Sequence, residues 1–393
     1  MHYHQFQRAA KRHLGSAALC LMLGSNTAFA VGGYDQQNLV TDDQAFLTSH
    51  GYIAATTVDP LLRNPWGIAF LPGNPGNPFW TANNGTNTST LYDGVGTKFP
   101  LEVSVAGAPT GQVNGGFNFH LAGQANNSLF IFAGENGTLS EWNTNGSVFP
   151  TTTQVAVDNS ASGAIYKGLA EATVGGEHRL YATNFSSGHV DVFDSSYGSV
   201  VNPPGAFTDP NLPVGFAPFG IQNIQGDLYV TYAKVNGGDD VHGIGHGFVD
   251  VFHPDGTFAS RFASRGVLNS PWGIALAPSS FGEFAGDLLI GNFGDGLINV
   301  FDPTTHAFVD HLVDRNGEAI QIEGLWGLIF GDGAANANAN GLYFTAGIGD
   351  EAHGLFGVLN PAAVPVPASL PLLVSGLGLV LISWRRTSGK SFA

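Results

Sequence analysis

Asn64-Pro65-Trp66-Gly67-Ile68-Ala69-Phe70 returns almost letter for letter as Ser270-Pro271-Trp272-Gly273-Ile274-Ala275-Leu276. Between and beyond these two copies stand Phe219-Gly220 and Trp326-Gly327, with Lys167-Gly168 and Gly115-Gly116 as degenerate copies. The glycines 67, 116, 168, 220, 273 and 327 fall at intervals of roughly 50 residues. A fixed period of this length is the mark of a repeat architecture.

Each glycine opens a short apolar segment. A second apolar run follows, such as Leu180-Tyr181-Ala182-Thr183, Leu228-Tyr229-Val230-Thr231 or Leu342-Tyr343-Phe344-Thr345. After turn residues (Glu135-Asn136-Gly137, Ser187-Gly188, Asp295-Gly296) comes a third run, as in Val190-Asp191-Val192-Phe193 and Val249-Asp250-Val251-Phe252. Alternating apolar and polar positions are the pattern of a half-buried antiparallel strand. A weaker fourth strand is expected after each, as in Arg261-Phe262-Ala263 and His311-Leu312-Val313. With 55 glycines and 21 prolines, the chain favours short strands and tight turns over helices.

These units predict an all-β fold, a six-bladed β-propeller of four-stranded antiparallel blades over residues 31–361. Asn38-Leu39-Val40 precedes the first unit and is expected to supply the outer strand of the last blade, closing the ring. The third-strand signature and the Pro-Trp-Gly-Ile opening resemble NHL-type propeller repeats.

Two flanking segments point to export. Residues 1–30 read as a signal peptide: Arg8, Lys11 and Arg12 precede the apolar run Leu14 to Leu23, and Ala28-Phe29-Ala30 is a small-x-small cleavage site. The only cysteine, Cys20, lies inside it, so the mature chain is expected to hold without disulfides. At the other end, residues 362–393 form a three-part tail. Val364-Pro365-Val366-Pro367 leads into an apolar stretch over 368–384, followed by a basic end over 385–393 with Arg385 and Arg386. That stretch is near the lower length limit for a transmembrane helix. The tail resembles the PEP-CTERM sorting signal, with Pro365-Val366-Pro367 in place of the usual Pro-Glu-Pro. The resemblance implies processing by an exosortase-type enzyme at the cell envelope, and most of the body from Tyr34 to Pro361 resembles PEP-CTERM-tailed propellers of unassigned role.

All 30 acidic residues lie between Asp35 and Glu351, alongside eight basic ones, giving this body a net charge of −22. Such a surface repels nucleic acid and favours cations. The sequence contains no Gly-x-Ser-x-Gly elbow, no His-Glu-x-x-His and no phosphate-binding Gly-x-x-x-x-Gly-Lys.

Three groups of residues are candidates for chemistry. The insertion from Asn236 to His246 carries Asp239, Asp240, His242 and His246, a set able to hold a divalent cation on a glycine-rich loop. Glu171, Asn223, Asn269 and Glu323 stand beside the innermost strands. They are similar to the residues by which gluconolactonase-like propellers hold calcium or zinc, and this likeness implies a metal-dependent lactonase. Trp66, Trp272 and Trp326 fall in the repeat register and are expected to pack the blades. Trp80 and Trp142 fall outside it and are candidate sugar platforms, which suits an extracellular polysaccharide partner. The leading expectation is a non-enzymatic binding or matrix-associated protein at the cell surface, with no cofactor firmly implied; the rival is the lactonase.

Overall fold

The computed structural model describes residues 32–362, apart from 74–75, 117 and 334–336. The signal peptide with Ala28 and Ala30, and the tail with Val364, Pro365, Val366, Pro367, Arg385 and Arg386, lie outside the described residues. Among the described residues no helix is long and apolar enough to cross a membrane.

The six expected units are six sheets, antiparallel except for Thr57–Val58, which adds in parallel to the outer edge of the last. Their innermost strands are Pro65–Ala69, Pro109–Asn114, Tyr166–Val174, Phe216–Ile224, Pro271–Leu276 and Leu325–Phe330, in blades 1 to 6. Each contacts the next, and the sixth returns to the first, so the sheets close into a propeller. The closing strand is Tyr34–Thr41, paired antiparallel with Leu355–Pro361 as the outer strand of blade 6. Blade 3 has three regular strands, and a bridge from Ser199 to Phe193 stands where a fourth would run. Apolar clusters fill the spaces between successive blades, which is why no blade needs a core of its own.

The repeated aromatic-glycine pair has a specific geometry. Every innermost strand shifts register there, between Pro65 and Ile68, Pro109 and Gln112, Tyr166 and Gly168, Pro218 and Ile221, Pro271 and Ile274, and Leu325 and Leu328. Such a bulge re-aims the side chain before the glycine. The glycine itself lies against the next blade's backbone. A Cβ on Gly220 would stand 2.2 Å from the carbonyl oxygen of Trp272. In blade 2 the residue in this register is Gly111, not Gly116: Gly116 lies beyond the strand, at φ 54°. The Gly115-Gly116 pair mimicked the motif without occupying its place.

Threonines staple the blades at the same level. Thr183 Oγ1 accepts the Gly168 N–H at 2.7 Å and donates to the Phe219 carbonyl of the next blade at 2.7 Å. Thr345 Oγ1 accepts from Gly327 at 3.0 Å and donates to the Trp66 carbonyl at 2.6 Å, joining blade 6 to blade 1.

Candidate functional site

All six innermost strands run in the same direction along the axis. Residues preceding them therefore gather at one end of the channel (here the upper) and residues following them at the other. Five residues of strand separate the two ends by roughly 15 Å. This divides the expected metal set. Asn269 and Glu323 are at the upper end, while Glu171 and Asn223 line the cleft at the lower end. The four residues do not converge, and among the described residues no three His, Cys, Asp or Glu side chains are grouped to hold a metal ion.

Their individual contacts agree. Asn269 is buried, accepting the Gly243 N–H at 2.6 Å and donating to Asp295 at 3.1 Å, so it braces loops. Glu323 accepts the Tyr52 hydroxyl and the Gly349 N–H. Glu171 is 2.7 Å from His178 Nδ1, and Asn223 donates to the Glu171 carbonyl at 2.8 Å.

The upper end is closed by aromatic rings. Trp66, Trp272 and Trp326 do not pack blade on blade as expected; their bulges turn them onto the axis. Trp326 is stacked between Trp66, at 3.4 Å between ring centroids, and Phe293, at 3.8 Å. Trp272 meets both Trp66 and Trp326 edge-on. Lys167 occupies the same register in blade 3. Its ammonium lies 4.9 Å from the Trp66 ring centre and 2.6 Å from Glu135, with only 4% of its side chain exposed. The degenerate Lys167-Gly168 copy was the signal for this residue, since the register alone places it on the axis.

The blade 4 insertion bends over this plug. Asp239 and Asp240 form a short strand against Val235 and Asn236, bringing Asp239 Oδ1 3.8 Å from the Lys167 ammonium. Asp240 is almost buried and 3.5 Å from His242, whose ring stands edge-on to Phe293 at 4.9 Å. His246 does not join them. Its Nδ1 lies 2.9 Å from the Val241 carbonyl, and its Nε2 is 3.5 Å from Lys234. The glycines around it let the loop fold on itself, so the two imidazoles part.

Between the insertion and blades 5 and 6 opens a cleft of about 300 Å³. His242 and Phe293 form one side; Asp295, Glu323, Asp350 and Glu351 form the rim. The sequence placed His242 and Glu323 in separate candidate sites, and the fold brings them to one. Burial raises the Glu351 carboxyl above its ordinary range, against hydrogen bonding from Asn64 and the positive charge of Lys167; Asp239 and Glu135 push it further up. Burial likewise raises Asp240.

Trp80 and Trp142 pack between blades 1 and 2, with Trp80 stacked on Phe130 at 4.2 Å and Trp142 donating to the Pro150 carbonyl, and both line an apolar cleft of about 420 Å³ there. Asn84 donates to Glu135 at 2.9 Å across the boundary between blades 1 and 2.

The sequence is 35% identical over 329 residues to uncharacterized protein R648 of Acanthamoeba polyphaga mimivirus, covering 79% of this chain and 78% of that one. The chain belongs to the family of that protein. Uncharacterized protein L690 of the same virus is a further member, 32% identical over 330 residues with 80% and 84% of the two chains covered. No family model matches the sequence. Among solved structures, a glucose dehydrogenase superposes with a TM-score of 0.47 at 15% identity, covering 77% of this chain and 97% of that one. A chain of a nidogen/laminin complex gives 0.44 at 11% identity, covering 68% and 84%.

Proposed function

We propose that this member of the family is an exported binding propeller whose upper cleft takes a positively charged group, and that it reaches the cell envelope through exosortase-type processing of its tail. The observation carrying the binding reading is the buried Lys167 ammonium, held between the Trp66 face and Glu135. The adjoining cleft offers the same two ingredients, the Phe293 ring and the Glu323 and Glu351 carboxylates, and among the described residues no Lys or Arg lines it. An ammonium over an aromatic face with carboxylates around it is favourable, and more so where water is partly excluded. An organic ammonium suits this cage better than a bare metal ion, whose carboxylate ligands would have to converge at ~2.3–2.6 Å for calcium.

In an envelope, such a group occurs on amino-sugar polymers, which fits the expected extracellular polysaccharide partner. The lactonase reading lacks its site here, since its residues are split between the two ends of the channel. Titration of the protein with glucosamine oligomers and with their N-acetylated counterparts tests the proposal. Saturable binding of the free amines alone, weakened in Glu351→Gln, is expected. Equal binding of both forms, or of neither, would overturn it.

A further inference from the structure

The cleft beside Trp80 and Trp142 differs in kind from the two ends of the channel. Leu91, Phe99, Leu101 and Phe130 line it with the two tryptophans, and so does Phe149, which is 55% exposed. Polar side chains in its wall are already engaged. Asn77 donates to the Leu71 carbonyl at 2.7 Å, Trp142 to the Pro150 carbonyl at 2.8 Å, and the Thr144 hydroxyl to the Val148 carbonyl. The cleft therefore selects by apolar contact. On a body of net charge −22, such an opening marks a contact site.

Its position narrows the choice of occupant. Leu91 and Trp142 lie at the ends of strands running towards the lower end, and Phe99 and Phe130 at the starts of strands running away from it. The cleft thus opens at the lower end. The chain leaves the propeller there too. Leu355–Pro361 is two antiparallel pairings away from the innermost strand of blade 6, so it runs the same way and brings Ala362 to the lower rim. A line of contacts leads from that exit towards the cleft. Asn338 donates to the Asn360 side chain at 2.8 Å and to the Tyr343 hydroxyl, through its own N–H, at 3.0 Å. That sentence of contacts ends on Phe79, whose ring centre is 4.4 Å from that of Tyr343 and which adjoins Trp80 in sequence. Phe79 packs towards blade 6 and Trp80 towards blade 2, so one further blade thickness of ~10 Å completes the path. Exit and cleft are on the order of 20 Å apart.

Residues 363–369 span at most about 25 Å when extended, enough to carry Leu370-Pro371-Leu372-Leu373 to the cleft. The tail beyond Ala362 has Arg385, Arg386 and Lys390 and no acidic residue, so the acidic body attracts it. We propose that the cleft between blades 1 and 2 holds the Leu370–Leu373 stretch of the chain's own tail whenever no membrane holds it. Docking removes two apolar surfaces from water at once. The apolar run Leu14 to Leu23 leaves at the same rim, since the Ala362 N–H donates to the Gly33 carbonyl at 2.8 Å, but it is expected to be cut away with the leader. The tail alone then remains as an occupant within the chain. The docking rests on the tail's composition and reach and is independent of the enzyme that processes it.

Thiol crosslinking of the full chain, synthesised in a membrane-free translation mixture, tests the proposal. With Cys20→Ser, Phe149→Cys and Leu372→Cys combined, a short bismaleimide should link the two introduced positions within one chain, seen as a shifted band at monomer mass. Val214→Cys in place of Phe149→Cys should give no link, because Val214 is fully exposed and precedes the innermost strand of blade 4, at the upper end. Phe149→Cys alone, with Cys20 retained, reports docking of the leader instead. No link between the Phe149 and Leu372 positions would overturn the proposal. So would an equal yield from Val214→Cys, a link only between two chains, or a link to Cys20. Normal processing of a chain with Arg385 and Arg386 replaced would contradict the sorting route while leaving this crosslink standing, so the two readings fail separately.

Discussion

Trp66 of blade 1 lies flat against Trp326 of blade 6, their ring planes 17° apart and their centroids 3.4 Å. The first and last blades are therefore joined at the axis as well as at the rim, where Tyr34–Thr41 completes the last sheet. The same contact seals the channel and makes its two ends separate chemical environments.

Trp326→Ala removes the ring at the centre of this stack and the N–H that reaches Asn64 at 2.9 Å. Deleting a buried tryptophan costs roughly 3–5 kcal/mol through lost burial and the cavity left behind. Denaturant unfolding should show a loss of that size. Trp326→Phe should recover part of it, and a loss below about 1 kcal/mol would mean the plug is loosely packed.

Thr345→Val keeps the shape of the side chain and removes only its hydroxyl. The Gly327 N–H and the Trp66 carbonyl then lose the partner that staples blade 6 to blade 1. Each group left buried and unpaired costs about 1–3 kcal/mol. Chemical unfolding should show the protein destabilised by at least the lower figure. Hydrogen exchange should rise at the blade 6–blade 1 boundary before it rises elsewhere.

The fold was legible because its signal is periodic. Trp66-Gly67 and Trp272-Gly273 repeat a steric requirement, a glycine pressed on its neighbour's backbone, and such a requirement leaves one letter in the sequence each time. The closing strand was legible too, since Asn38-Leu39-Val40 had no unit of its own. The site was far less legible. Glu171 and Glu323 look equivalent at their innermost strands, yet Glu171 lies in the second half of Tyr166–Val174 while Glu323 precedes Leu325–Phe330, so they stand towards opposite ends. The insertion's two histidines look like a pair until the loop folds and turns His246 back on the Val241 carbonyl. Lys167 was visible but read as a worn copy of the motif, because register shows where a side chain points and residue type alone does not.

Export rests on segments outside the described residues and is tested by processing. Replacing Arg385 and Arg386 with Asp removes the basic end that the proposed sorting route requires on the cytoplasmic side. The variant should accumulate unprocessed at the membrane, seen as a larger band on a blot. Normal processing of that variant would contradict an exosortase-type route.

Gln112→Leu should change stability. Among the described residues the amide has no hydrogen-bond partner, and leucine fills the same position, next after the bulge glycine, in blades 3 and 6. Removing the unpaired group should gain about 1–3 kcal/mol in thermal or denaturant unfolding.

The pH response of the upper cleft follows from Glu351. Burial raises its folded-state pKa above the unfolded value, so the native protein holds this proton where the unfolded chain has released it. Unfolding free energy then falls as pH rises across the interval between the two pKa values. The contribution is fully present below the unfolded pKa and is lost as pH passes the raised one. Glu351→Gln, permanently uncharged, should therefore be more stable than the parent at neutral pH. That advantage should shrink towards acid pH, where the parent's carboxyl is protonated as well. Binding of an ammonium should run the other way, strengthening as pH rises and the carboxylate forms, with protons released on binding. Calorimetry in two buffers of different ionisation enthalpy measures that release, and binding that takes up protons would contradict the assignment of Glu351 to the cation.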